Sequence, residues 1–143
     1  MNYISKSAEE TEKIAFDFSK TLIGGEIITL DGDLGAGKTA FVRGLARGLN
    51  ITDTVSSPTF TIVNEYRHGD LPLYHFDVYR IGSSDELYDI GWEDYISGNA
   101  VVVMEWACIV SDIFEEEPIK IVIEKNPLLG EDYREINIKG ANE

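Results

Sequence analysis

Gly32, Gly37, Lys38 and Thr39 stand at the spacing Gly-x-x-x-x-Gly-Lys-Thr, inside the stretch Thr29-Leu30-Asp31-Gly32-Asp33-Leu34-Gly35-Ala36-Gly37-Lys38-Thr39-Ala40. An apolar run, Ile27 to Leu30, leads in, and a helical pattern of Phe41, Val42, Leu45, Ala46 and Leu49 leads out. Strand, glycine-rich loop and helix together are the context a phosphate-binding loop requires. The glycines let backbone N–H groups converge on phosphate oxygens with no Cβ in the way. The helix N-terminus adds about half a positive charge at the same place. Lys38 is expected to reach the β- and γ-phosphates, and the Thr39 hydroxyl to ligate Mg2+. The predicted nucleotide-binding residues are Asp33, Leu34, Gly35, Ala36, Gly37, Lys38, Thr39 and Ala40. The plain alternative is a glycine-rich turn before an ordinary helix, which rarely has all four fixed residues and both flanks by chance.

Triphosphate chemistry needs a metal and a carboxylate near it. Two apolar runs end in an acid: Leu73-Tyr74-His75-Phe76-Asp77 and Val101-Val102-Val103-Met104-Glu105. The second has no alternation, which is how a strand buried on both faces reads, so it belongs centrally in a parallel sheet. Ligands of such sheets bind at the C-terminal ends of the strands. Glu105 is therefore assigned to the Mg2+ shell, directly or through water. Asp77 is left to orient or deprotonate an attacking water. Either acid also fits an N-cap or an ion pair. The loop Ser57-Pro58-Thr59-Phe60 lies where phosphate-loop enzymes keep a γ-phosphate sensor, and it equally suits a turn into the next strand. Thr11, in the first turn of the helix before the strand, is a candidate contact to the base or a solvated residue. His68 and His75 have no partner at metal spacing and read as structural or surface residues.

The supporting elements follow from pattern. Ser7 to Glu10 has capping-box spacing and opens a helix with Ile14, Ala15, Phe18 and Leu22 on one face, ended by Gly24-Gly25. Thr61 to Arg67 and Leu71 to Tyr79 flank the turn signal His68-Gly69-Asp70 and predict an antiparallel hairpin. Ser83 to Glu86 repeats the capping-box spacing before a short helix that Gly91 breaks, with Trp92 to Ile96 beyond it. Ala107 to Phe114 reads as helical, and Ile119 to Lys125 and Tyr133 to Ile138 as two further strands. The expected fold is a single α/β domain over residues 1–143, like a P-loop NTPase. Its sheet is mixed and mostly parallel, with flanking helices and an antiparallel hairpin.

The chain has 143 residues and a net charge of −14, from 26 acidic and 12 basic residues. That balance disfavours sequence-independent binding to nucleic acid, DNA included, or to anionic membrane. It does not forbid a phosphate site, because surface charge is screened within roughly 8 Å while the loop touches its ligand. No apolar run reaches the roughly 20 residues of a membrane span, and the first residues lack a signal-peptide core, so a cytoplasmic location is expected. One cysteine, Cys108, cannot make an internal disulfide. Neither Asp-x-x-Gly nor Asn-Lys-x-Asp occurs, so adenine is favoured over guanine. The five arginines are scattered, which counts against the arginine-rich lid of a small-molecule kinase.

Four motifs occur in order: Gly32-Asp33-Leu34-Gly35-Ala36-Gly37-Lys38-Thr39, Ser57-Pro58-Thr59-Phe60, Tyr74-His75-Phe76-Asp77-Val78-Tyr79-Arg80 and Glu105-Trp106-Ala107. Together, over roughly Ser7 to Ile138, the chain resembles the bacterial TsaE (YjeE) family, the ATPase of tRNA threonylcarbamoyladenosine synthesis. The resemblance implies a small P-loop domain that binds ATP with Mg2+ and hydrolyses it slowly alone. It implies action with TsaD and TsaB, which modify the adenosine beside the anticodon, so that tRNA is met only through the complex. It gives Lys38 and the loop amides the phosphates, Thr39 and Glu105 the Mg2+, Thr59 a place in a switch-like loop and Asp77 the role of catalytic acid residue, with Trp106 flanking the site. A nucleotide-gated binding module and a small-molecule kinase are the competing readings.

Overall fold

Val101 to Glu105 is buried at every position and sits between two parallel neighbours, as its unbroken apolar run predicts. The structure is a computed structural model, and it describes residues 1–33, 35–58 and 61–140. In chain order the elements are β1 (Asn2–Ser5), α1 (Ala8–Ser19), β2 (Ile27–Gly32), α2 (Lys38–Gly48), β3 (Val63–Tyr66), β4 (Leu73–Asp77), α3 (Ser84–Asp89), α4 (Trp92–Ile96), β5 (Val101–Glu105), a stretch of 3-10 turns (Ala107–Ile113), β6 (Ile119–Lys125) and β7 (Arg134–Lys139). The seven strands form one sheet in the order β1-β7-β6-β2-β5-β4-β3. The four central strands run parallel. Antiparallel partners close both sides: β3 on β4 at one edge, β7 and then β1 at the other.

The strand period of two divides the core. Ile28, Leu30, Leu73, Val101, Val103, Ile121 and Ile123 pack with Phe41, Val42 and Leu45 of α2 and Ala15 of α1. Tyr74, Phe76, Val102 and Met104 pack on the other face with Leu87, Trp92 and Val110. A side chain such as Phe41, fully buried, contributes about 1.5–3 kcal/mol. The α1 and α2 helices lie very close together: a Cβ on Gly44 would stand 2.7 Å from the Ala15 Cβ and collide with the Glu12 carbonyl. On the second face the apolar cluster ends near β5. Beyond it Lys120, Glu124 and Asn137 are exposed.

The capping box of α1 forms, one residue out of register. The Glu10 N–H donates to Ser7 Oγ at 3.1 Å, while Glu10 Oε2 accepts from the Lys6 N–H at 2.6 Å. At α3 only half of it forms: Ser83 makes no side-chain cap, and Glu86 Oε2 accepts from the Gly82 N–H at 2.7 Å. Residues 107–113 wind as 3-10 turns broken at Val110, where φ is −125°, in place of the continuous helix that their pattern suggests. The first strand was not visible in the pattern at all. Four residues give too short a run, and β1 exists because its register partners Arg134 to Asn137 offer it an edge.

Candidate functional site

The loop that follows β2 turns immediately. Its Ala36 N–H donates to the Asp33 carbonyl at 3.0 Å, and Gly37, with φ at 102°, starts α2. A non-glycine residue at Gly37 would be strained in that left-handed conformation. At Gly32 the constraint is space, since a Cβ there would collide with the carbonyl oxygen of Ile123 on β6.

A guanidinium on β7 braces the loop from behind. Arg134 Nε donates to the Ala36 carbonyl at 3.0 Å and Nη2 to the Gly35 carbonyl at 3.3 Å. Its Nη1 donates to the carbonyls of Glu131 and Tyr133, both at 2.9 Å. Two carbonyls of the loop are thereby held by one side chain. Arginine is suited to this because its planar fork carries several fixed donors.

Opposite the loop stand the strand ends. Asp77 and Glu105 are register partners on β4 and β5. By alternation both lie on the α2 face, with His75. Lys38 Nζ is 3.3 Å from Glu105 Oε1. His75 Nε2 is 2.6 Å from Glu105 Oε2, inside the core. Burial pushes the Glu105 carboxyl up, but the hydrogen bond and charge of His75, joined by Lys38, outweigh it and hold the group below its ordinary value. The carboxylate is therefore ionised near neutral pH. Asp77 is half-buried, and its Oδ1 accepts the Tyr79 N–H at 3.0 Å. Trp106, at φ 63°, carries its ring to the crevice: Lys38 Nζ lies 5.6 Å from its centroid and the Tyr79 ring 4.8 Å away.

The crevice encloses about 430 Å3 and is lined by Asp31, Gly32, Asp33, Lys38, Trp106 and Lys125, among others. Asp31 at its floor also borders a neighbouring groove of about 550 Å3 on the open half of the sheet. Burial raises the Asp31 pKa, with Lys38 countering and Glu105 adding to the shift.

Of the residues singled out from the sequence, Gly35, Ala36, Gly37, Lys38, Thr39, Asp77, Glu105 and Trp106 belong to this loop and the strand ends facing it. Asp33 is exposed at the start of the turn, and Ala40 is buried in the first turn of α2. Leu34 and Thr59 lie outside the described residues. Thr11 is buried, with its hydroxyl 2.7 Å from Ser5 Oγ at the junction of α1 and β1. Its hydroxyl contact is thus internal to that junction. His75 is the residue that spacing did not attach to the site. It has no ligand partner along the chain, yet strand alternation places it two residues before Asp77 on the same face. Arg134 was missed for the same reason: nearly a hundred residues separate it from the carbonyls it holds.

The donor set suits a small hard cation. It consists of a hydroxyl and carboxylate oxygens, and the described residues hold no cluster of three or more His, Cys, Asp or Glu that would cage a metal alone. Mg2+ characteristically takes one or two protein oxygens and completes its shell with water and phosphate.

Similarity to known proteins agrees with this architecture. The model of the family described as "Threonylcarbamoyl adenosine biosynthesis protein TsaE" matches residues 5–135. The tRNA threonylcarbamoyladenosine biosynthesis protein TsaE of Bacillus subtilis is 48% identical over 90% of this chain and 78% of its own length. That of Treponema pallidum is 39% identical over 96% of this chain and 99% of its own length. A crystal structure of Bacillus subtilis YdiB superposes with a TM-score of 0.83 at 39% identity, covering 99% of this chain and 85% of that one. Sequence and fold agree over nearly the same span, and the chain belongs to the TsaE family.

Proposed function

We propose that this chain binds ATP with Mg2+ in the loop from Asp33 to Ala40 and hydrolyses it. In this reading it is the ATPase of tRNA threonylcarbamoyladenosine biosynthesis, slow alone and activated by the TsaD and TsaB proteins, with tRNA met through that complex. The observation that supports it is the placement of Lys38, at the start of α2, 3.3 Å from a buried carboxylate at the end of the neighbouring strand. An ammonium group and a strand-end acid meet there beside the glycine-rich loop, the groups that γ-phosphate chemistry calls on.

Each residue then has a task. The loop amides and Lys38 hold the phosphates and oppose the charge that develops on them. Thr39 and Glu105 would hold Mg2+, which would supply positive charge against the phosphates. Asp77 orients the attacking water and accepts its proton as the water oxygen bonds to phosphorus and the bond to the β-phosphate oxygen breaks. Trp106 and Tyr79 flank the mouth. Thr59 would sense the γ-phosphate from its loop. Ser56, just ahead of that loop, is fastened by its N–H to the Tyr66 hydroxyl at 3.2 Å and by its carbonyl to Asn64 Nδ2 at 2.9 Å. The five arginines are scattered along the chain, and Arg134 is occupied by the loop carbonyls, so low activity in isolation is expected.

Phosphate release with and without TsaD and TsaB, for the wild type and Asp77→Asn, tests this. Partner-dependent release that Asp77→Asn loses while still binding ATP supports it. Wild-type turnover by Asp77→Asn with partners present would remove Asp77 from its role. Full modification over many rounds with a non-hydrolysable analogue would favour a nucleotide-gated binding module instead.

A further inference from the structure

His75 stands at the centre of β4, opposite Val103 and Asn64, with no exposed surface. Among its same-face neighbours are Leu73, Val101 and Val103. An imidazole there is costly unless it is fully hydrogen-bonded. Among the described residues it makes one bond, from Nε2 to Glu105, while the buried Nδ1 has no partner. An ionised carboxylate can only accept, so Nε2 carries the proton and donates. Nδ1 is left buried, with nothing to meet either its lone pair or a proton on it among the described residues. A half-satisfied polar ring in an apolar layer is a poor way to stabilise a sheet, and Leu or Met would fill the place without that penalty.

What the ring does accomplish is to divide the carboxylate. Oε2 is drawn into the core by His75, and Oε1 is 3.3 Å from Lys38 at the crevice. A terminal carboxylate torsion is otherwise broad and roughly two-fold. We propose that His75 is a positioning residue, whose Nε2–H fixes the rotation of Glu105 so that a single oxygen, Oε1, faces the metal–nucleotide crevice. The proposal rests on the reading of Glu105 as a metal-side carboxylate. Such outer partners of metal-binding groups typically change metal affinity or activity by 10–100-fold when removed.

The discriminating variants are His75→Gln, His75→Asn and His75→Met. Gln carries its amide nitrogen about as far from the backbone as Nε2 and restores the donor. Asn falls short of Glu105, and Met is apolar and of similar bulk. Mn2+ binding in the presence of a non-hydrolysable ATP analogue is followed by electron paramagnetic resonance, together with melting temperature and binding of the analogue without metal. The expected result is a rise of roughly 10-fold or more in the Mn2+ dissociation constant for Asn and Met, with Gln near wild type. Metal-free nucleotide binding is expected to stay unchanged in all three. Met is expected to melt below wild type, because it withdraws one of the two partners of the buried Glu105 carboxylate. Equal Mn2+ affinity in wild type, Asn and Gln would overturn the proposal. So would equal losses in Asn and Gln, since only Gln restores the donor. If Met fails to fold, the comparison of Asn with Gln decides alone. Failure of the underlying reading looks different: the wild type itself would then bind no Mn2+ with the nucleotide, or Glu105→Gln would bind it unchanged.

Discussion

Lys38 Nζ and Glu105 Oε1 lie 3.3 Å apart, joining the first residue of α2 to the last of β5. The pair is largely buried on both sides, so it is not the exposed ion pair whose worth is near zero. Removing the ammonium withdraws one of the two partners of a buried carboxylate. Lys38→Met is expected to lower the melting temperature and to weaken ATP binding by about 10–100-fold, the value of a charge-assisted contact to phosphate. Calorimetric titration with ATP and a thermal melt of the same sample check both halves.

The brace from Arg134 makes a separate prediction. One guanidinium serves four carbonyls, two of them in the phosphate loop. A lysine ammonium cannot span that set. Arg134→Lys should therefore weaken ATP binding by roughly the loss of one or two hydrogen bonds, about 10-fold. If Arg134→Lys binds ATP as the wild type does, the brace has no bearing on the loop's binding form.

Two carboxyls beside Lys38 should show opposite pH signatures. Glu105 is held below its ordinary value of 4.5, because His75 and Lys38 outweigh burial. Its favourable contribution is complete above that value and disappears as pH falls through the lower folded value. Asp31 is raised above 3.8 by burial. Its ionised form is the disfavoured one, so its penalty grows as pH rises through the raised value. Asp31→Asn is thus expected to melt higher than wild type at pH 7, with the gain vanishing in acid. Glu105→Gln should melt lower at pH 7, with the deficit shrinking below pH 4.5. Melting curves from pH 3 to 7 are the measurement, and a pH-independent difference in either variant would contradict the assignment.

Gly44 tests the frame on which the loop is mounted. The α1–α2 contact leaves no room for a side chain there. Gly44→Val should part the helices and destabilise the fold by about 1–3 kcal/mol, the usual cost of overpacking. Denaturant titration measures it, and an unchanged midpoint would mean that the helices adjust without strain.

Much of this protein could be read along the chain. The Gly32 to Thr39 spacing, with its apolar approach and amphipathic exit, states strand, loop and helix in one stretch, because each is set by local torsion and local period. The β5 run foretold a central strand because burial on both faces removes alternation. The acids at Asp77 and Glu105 could be named as strand-end residues for the same reason.

Partnership across the sheet was not written there. That Glu105 meets both Lys38 and His75, and that Arg134 braces Gly35 and Ala36, depends on strand order β7-β6-β2-β5-β4. No spacing rule encodes that order, since neighbours in the sheet are distant in the chain. The edge strand β1 and the 3-10 turns after Trp106 likewise depend on surrounding packing rather than on their own residues. Local chemistry fixed which groups can bind a phosphate, and the pairing of distant strands decided which of them stand within reach of each other.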